Sequence, residues 1–163
     1  MELKDDKKEC LIELIDVLDE TEAASTLLVD KVLTDAFQMI GTNLFRAFAN
    51  KSKTLSYSEI LENKKTSAVD PDEDEPHLEE SWPHLQLVYE LLLKFIMSPH
   101  IRPEQMTKHL NRSFTKSFIE LFDSEDPRER DYLKTILHRI YGKYMVLRPF
   151  VKEQIMNLLL RIT

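Results

Sequence analysis

The chain has 163 residues, of which 42% are hydrophobic and 31% charged, and its formal net charge is −7 at pH 7. This length and composition are typical of one soluble globular domain and exclude a disordered or fibrous chain. The two glycines, Gly41 and Gly142, are too few for a glycine-rich phosphate loop or a hairpin-rich β fold, because both need residues at positive φ.

The single cysteine, Cys10, cannot form an intramolecular disulfide and indicates a reducing compartment. Residues 1–8 are highly charged, and Glu13 and Asp16 interrupt the apolar run that follows them. We therefore expect neither a signal peptide nor a membrane span. The expected location is the cytoplasm or the nucleus.

Charge is distributed unevenly along the chain. Seven of the 29 acids lie between Asp70 and Glu80 with no base among them, and the remaining 22 equal the 22 Lys and Arg residues. Residues 132–163 instead contain six bases and one acid, Glu153. This basic segment favours an acidic partner. An acidic chain without interleaved aromatic and basic residues makes nucleic acid an unexpected partner.

Two helices are predicted in residues 1–50, the N-terminal helical region. The first has apolar residues at the i, i+3, i+4 and i+7 spacing of one helix face. These are Leu11, Leu14, Ile15 and Leu18. A second pattern, from about Thr26 to Phe48, also has one apolar side, formed by Leu33, Phe37, Ile40, Leu44 and Phe48.

Residues 51–80 are rich in Ser, Lys, Asp, Glu and Pro, which predicts an acidic, polar loop or linker. A short helical turn is predicted within it at Tyr57–Asn63. We expect its acidic end, up to Glu80, to be a solvated loop.

Residues 81–163 are predicted to be densely helical. Ser81 is expected to cap a helix with Pro83 in its first turn, and this helix stops before Pro99. Its predicted apolar side is formed by Leu85, Val88, Leu92, Phe95 and Ile96. Asp126 is expected to cap a later helix, with Pro127 at its first position. The remaining predicted helices are Pro103–Leu110, Ser113–Phe122, Arg128–Met145 and Pro149–Ile162.

Helix pairs joined by short turns with Pro or Asp predict an all-α, HEAT-like helical-repeat solenoid, an α-α superhelix that includes residues 1–50. A helical bundle is the competing architecture. The last helix is apolar around much of its circumference, through Val151, Ile155, Met156, Leu158, Leu159, Leu160 and Ile162. Such helices are usually buried between layers. We therefore expect a truncated solenoid whose C-terminal helix is exposed or covered by another molecule, as in a dimer or a domain swap.

Two uninterrupted runs carry a family resemblance. EESWPHLQLVYE at Glu79–Glu90 and ELFDSEDPRERDYLKT at Glu120–Thr135, followed by LHRIYGK at Leu137–Lys143, resemble the B-prime regulatory subunits of protein phosphatase 2A. The acidic stretch at Asp70–Pro76 and the segment Asn43–Arg46 resemble this family locally. Its members are HEAT-like solenoids with more repeats than fit here, so the chain resembles their N-terminal part.

The resemblance implies a targeting subunit. Such proteins dock on the scaffold and catalytic subunits of the phosphatase and recruit substrates through a groove for short acidic motifs of the form L-x-x-I-x-E. The residues that match this groove are Lys134, Thr135, His138, Arg139, Tyr141 and Arg148. No residue pattern in the sequence indicates catalysis, a cofactor or a metal site.

Helical spacing is compatible with that groove. Leu133, Leu137, Ile140 and Tyr144 share a predicted core face, while Lys134, His138 and Tyr141 lie on an adjoining face that Thr135 and Arg139 extend. Cations and hydroxyls beside apolar residues suit a peptide whose acid meets Arg or Lys. Arg148 is expected to close one end. A following repeat is expected to form the remaining wall, so we predict weak peptide affinity for this length of chain.

Three alternatives stay open at this stage. In the first, the cationic face of the predicted α-helix is only a solvated surface. In the second, the chain is a scaffold-only helical module. In the third, the chain is a hydrolase that uses its carboxylates, including Asp126 and Glu129. The last lacks a nucleophile elbow and a phosphate cradle, and the histidines lack zinc spacing. We expect Asp123, Glu125, Asp126 and Glu129 to cap a helix and pair with Arg128 and Arg130, and Trp82 to anchor the core.

Overall fold

A computed structural model describes residues 2–19, 28, 30–46 and 78–162. Within these residues the regular structure is helical and contains no strand, which confirms the predicted all-α class. The helices are α1 (Glu2–Asp19), α2 (Asp30–Leu44), α3 (Trp82–Met97), α4 (Pro103–His109), α5 (Arg112–Glu120), α6 (Pro127–Lys143) and α7 (Arg148–Ile162), with 3₁₀ turns at Leu121–Asp123 and Met145–Leu147.

Alternate helices stack in two layers. In one layer α1 packs against α3 and α3 against α6, while in the other α2 packs against α4 and α5 against α7. The pairs α1–α2, α3–α4/α5 and α6–α7 therefore follow one another side by side. This order is that of a helical-repeat solenoid rather than a closed bundle, and it confirms the predicted architecture.

Hydrogen bonds at both ends show that α3 and α6 run parallel. Beside the first residues of α3, the backbone N–H of Glu79 donates to Asp126, the N-cap of α6, over 2.9 Å. At the other end, Lys143 of α6 donates to the carbonyls of Ile96 and Ser98 over 2.7 and 2.9 Å. An ammonium at the carbonyl end of α3 satisfies acceptors that the helix itself leaves open.

The apolar spacing of α2 and α3 predicts their core faces well. Leu33, Phe37, Ile40 and Leu44 are buried in α2, and all five predicted residues of α3 are buried together with Trp82, Tyr89 and Leu91. Trp82 is 6% exposed, which confirms its role as a core anchor. Helices α4 to α7 begin and end within two residues of the predicted bounds.

Some N-terminal predictions are wrong in detail. Leu14 is 44% exposed, because it lies at the margin of a narrow stripe on which Leu11 is buried and Ile15 and Leu18 are half-buried. Helix α2 is shorter than predicted, since Leu28 and Phe45 are not helical. Phe45 instead packs edge-on against Phe114, with ring centroids 4.9 Å apart. Thr26, Phe48 and most of the predicted loop, with the turn at Tyr57–Asn63, lie outside the described residues.

The end of the acidic stretch differs from the solvated loop that was expected. Glu79 is half-buried and accepts a hydrogen bond from Arg46 over 3.3 Å. The Ser81 hydroxyl donates to Glu79 over 2.7 Å. The prediction that the Ser81 side chain caps α3 is therefore wrong. The hydrogen bond from Ser81, aided by Arg46, lowers the pKa of Glu79. Glu79 thus belongs to the folded structure.

Asp126 caps α6 as predicted. Its carboxylate is 1% exposed and accepts the backbone N–H of Arg128 over 2.8 Å, and the Arg128 guanidinium bonds it over 2.7 Å. The same guanidinium lies 5.1 Å from the Trp82 ring centroid. Hydrogen bonds from Arg128, followed by those from backbone N–H groups, hold the pKa of Asp126 well below its usual range despite burial.

Glu129 was expected to pair with Arg128 or Arg130, but it pairs with neither. Its fully buried carboxylate accepts both terminal nitrogens of Arg46 over 2.9 and 2.8 Å and the Tyr89 hydroxyl over 2.5 Å, and the Ser124 hydroxyl also donates to it. The expectation failed because Arg46 is 83 positions away in the sequence and only the fold brings it near. Arg130 instead donates to the carbonyl of Ser124.

Replacing Glu129 with Ala should destabilise the chain by about 3–5 kcal/mol, because Arg46 would keep a charge without its buried partner and Tyr89 would lose its acceptor. Urea unfolding followed by circular dichroism measures this change. The matched control is Glu153→Gln on exposed α7, which should change the free energy of unfolding by no more than about 0.5 kcal/mol. Equal stability of the two variants would contradict the central role of Glu129.

Asp126 should also make stability depend on pH. Because its folded pKa lies below the unfolded value, its contribution is fully present above the unfolded pKa of about 4 and is lost as the pH falls further. Asp126→Asn keeps a capping oxygen but cannot titrate. The difference in unfolding free energy between wild type and Asp126→Asn should be constant near neutral pH and narrow below pH about 4. A difference that does not change with pH would contradict this assignment.

Candidate peptide-binding groove

A groove of about 400 Å³ lies between α6, α7 and the end of α5. Its lining is mostly apolar and is formed by Ile119, Phe122, Lys134, Leu137, His138, Tyr141, Val151, Ile155, Leu158 and Leu159. Three of the six predicted motif-binding residues, Lys134, His138 and Tyr141, are therefore brought together at one surface. The other three, Thr135, Arg139 and Arg148, do not line it.

The spacing of α6 explains why this helix supplies the polar wall. Leu133, Ile140 and Tyr144 are buried as predicted, whereas Leu137 is half-buried and contributes to the groove. Residues at i, i+4 and i+7 lie one above another on a helix, so Lys134, His138 and Tyr141 form a row beside Leu137. Burial of the core face thus fixes the direction of this row.

Lys134 is exposed and forms an ion pair with Asp131, with Nζ 2.7 Å from Oδ1. Thr135 is also exposed, and its hydroxyl donates to the carbonyl of Asp131 over 3.0 Å. His138 and Arg139 are exposed at the next turn of α6. Two of these side chains are thus engaged locally at the N-terminal end of the row.

Arg148 holds the carbonyl end of α6. Its Nε donates to the carbonyl of Tyr141 over 2.8 Å and its terminal nitrogen donates to that of Gly142 over 3.2 Å. The guanidinium lies 5.1 Å from the centroid of the Tyr141 ring. Arg148 therefore caps the carbonyl end of α6 and packs on the aromatic ring that lines the groove.

The apolar floor was only partly predicted. Val151, Ile155 and Leu158 were expected on one face of the last helix, but Ile119 and Phe122 were not assigned to any site. Their i, i+3 spacing predicts only that the two side chains lie on the same side of the chain. The position of Phe122 depends on the 3₁₀ turn at Leu121–Asp123, which follows α5. No signal in the sequence connects them to α6.

The groove has one wall with polar side chains, on α6, and one apolar wall, on α7. Lys134 and His138 come from α6, while the lining residues of α7 are aliphatic. No carboxylate is among the lining residues. Across the described part of the chain, no group of three or more His, Cys, Asp or Glu side chains is placed to hold a metal ion. The surface is suited to a ligand with apolar side chains and an acid rather than to metal chemistry.

Comparison with known proteins gives a family match over the whole chain. A family model described as protein phosphatase 2A regulatory B subunit (B56 family) matches residues 1–163. The beta isoform of the 56 kDa regulatory subunit of protein phosphatase 2A from Homo sapiens is 44% identical over 158 residues, or 97% of this chain. The B′ beta isoform of the 57 kDa regulatory subunit from Arabidopsis thaliana is 43% identical over the same share.

A regulatory subunit of the same phosphatase from Caenorhabditis elegans, pptr-1, is 42% identical over 99% of this chain. These matches confirm the B-prime resemblance that the sequence motifs indicate. The chain spans about 30% of the length of the curated relatives it matches (30%, 29% and 27% of the three). Each relative is named as regulatory and not as catalytic, in agreement with the non-enzymatic role expected here.

Helix α7 presents an apolar surface next to the groove. Met156, Leu159 and Leu160 are 59%, 53% and 70% exposed. No described helix is long and apolar enough to cross a membrane. Self-association through this surface stays a prediction.

If that prediction is right, the sedimentation coefficient of the chain should rise with protein concentration, because two copies would bury these side chains against each other. Met156→Glu should suppress the rise, whereas Lys152→Glu, on an exposed polar position of the same helix, should leave it unchanged. A single monomeric species at every concentration would rule out the dimer.

Proposed function

Because the chain belongs to the B56 family of protein phosphatase 2A regulatory B subunits, we propose that it is a non-enzymatic regulator that targets this serine/threonine phosphatase to its substrates. In this role it binds the scaffold and catalytic subunits and recruits proteins with short acidic motifs of the form L-x-x-I-x-E. The groove between α6 and α7 is the proposed recruitment site. The cytoplasm and the nucleus are the proposed locations.

The observation that carries this proposal is the position of Lys134, His138 and Tyr141 along one apolar groove. The Leu and Ile side chains of a motif fit between α6 and α7, against Leu137 and Leu158, where their burial removes apolar surface from water. The glutamate of the motif meets the polar side of α6, where Lys134 and His138 line the groove and Arg139 is exposed beside it. A charge-assisted hydrogen bond there adds affinity and fixes the direction of the peptide.

Arg148 and Tyr141 have a supporting part in this arrangement. The ring of Tyr141 is held by the guanidinium and by the packing of α6, so it loses little freedom when a peptide binds. Side chains that are already ordered give more affinity per contact than mobile ones. Thr135 extends the polar wall beyond the groove.

The alternative is a scaffold-only helical module that binds the phosphatase core without a competent groove. The ion pair of Lys134 and the backbone hydrogen bonds of Arg148 favour it, because both cations already have partners. A carboxylate-based hydrolase is not favoured, since Asp126 and Glu129 are buried and fully engaged in hydrogen bonds.

Calorimetric titration of an acidic L-x-x-I-x-E peptide tests the groove. Wild-type chain should bind it with weak but saturable affinity, and His138→Ala and Arg139→Ala should abolish that binding because the peptide acid loses its partners. A peptide with the Leu, Ile and Glu replaced by Ala should not bind. Lys31→Ala removes an exposed cation from α2 and serves as the matched control.

Circular dichroism of each variant should show unchanged helicity, since His138 and Arg139 are exposed. Equal peptide binding by wild type, His138→Ala and Arg139→Ala would remove the groove from the proposal. Binding to the purified scaffold and catalytic subunits without peptide binding would favour the scaffold-only alternative. Absence of both interactions would refute the proposed function.

A further inference from the structure

The row that lines the groove on α6 continues to one acid that the family resemblance does not place in the groove. Asp131 precedes His138 by seven residues, so the two lie within about 20° of each other around the helix. Its carboxylate lies 2.7 Å from the Lys134 ammonium, which lines the groove. Asp131 and Lys134 are 74% and 66% exposed, so neither is locked by packing.

From this geometry we propose that Asp131 sets the affinity of the groove for acidic ligands by holding the Lys134 ammonium and repelling an incoming carboxylate. This inference rests on the proposed function of the groove and adds a regulating residue to it. A bound acidic peptide has to share Lys134 with Asp131 or displace it. The aliphatic lining of α7 offers no second ammonium in compensation.

The size of the effect follows from the exposure of the pair. Exposed ion pairs contribute little because water screens them, and the i, i+3 pairs on a helix surface are weak. Freeing Lys134 and removing one like charge should therefore tighten the binding of an acidic peptide by about two- to fivefold. The gain should shrink at high salt, because the interactions that cause it are between exposed charges.

This arrangement has a consequence for ligand choice. The acid of the ligand contributes less than it would beside a free ammonium, so the apolar side chains have to supply most of the affinity. Acidic peptides without them should be rejected.

The test compares the peptide dissociation constants of wild type, Asp131→Asn and Asp35→Asn by fluorescence anisotropy at low and high salt, with a labelled L-x-x-I-x-E peptide. Asp35 is an exposed acid of α2, so its substitution changes net charge and residue type in the same way but away from the groove. Asp131→Asn should bind about two- to fivefold tighter than wild type at low salt, and Asp35→Asn should not.

Two further measurements separate an electrostatic role from a structural one. A peptide with Gln in place of its Glu should have the same dissociation constant for wild type and for Asp131→Asn. In a Lys134→Met background, the gain from Asp131→Asn should be much smaller, because the ammonium that Asp131 holds is gone.

Equal or weaker binding by Asp131→Asn, or an equal gain for the neutral peptide, would overturn the inference while the proposed groove stands. Loss of peptide binding in every protein, wild type included, would instead remove the recruitment groove from the proposed function, and this inference with it.

Discussion

The buried Glu129 carboxylate is the interaction on which the rest of the structure depends. A buried anion is tolerated only when cations and hydrogen-bond donors surround it, and here these come from the end of α2, from α3 and from the turn before α6. One side chain thus connects three successive helical pairs. Burial raises the pKa of Tyr89 strongly, with the negative charge of Glu129 adding to it, so its hydroxyl stays a donor.

The same network determines where the groove lies. Glu129 is in the first turn of α6, and Lys134, His138 and Tyr141 follow on that rigid helix. Lys143 and the buried Tyr144 fasten its other end by donating to the carbonyl of Ile96 in α3. A helix held at both ends cannot rotate, so its exposed row keeps a constant direction relative to α3. The core therefore orients the candidate groove, and the buried Ile119 and Val151 belong to both.

Local patterns in the sequence predicted local structure well. The apolar spacing of α3, the proline at the start of α6 and the Asp126 cap each depend on neighbours within a few residues, and all three agree with the structure. Contacts between distant segments could not be predicted in this way. Arg46 and Glu129 are 83 positions apart, and the groove floor combines Phe122 with Leu158, which no single helical pattern relates. The family motifs identified Lys134, His138 and Tyr141 of the candidate groove, whereas its apolar floor could be identified only from the fold.

Buried and exposed charges have different tasks in this chain. Asp126 and Glu129 are enclosed, and their partners are fixed by the backbone and by hydrogen-bond geometry, so they specify one arrangement of the helices. Lys134, His138 and Arg139 are exposed on a helix whose position is already determined. Such side chains can change partners at little cost to stability. The buried charges therefore hold the fold, while the exposed row of the candidate groove can be substituted without unfolding the solenoid.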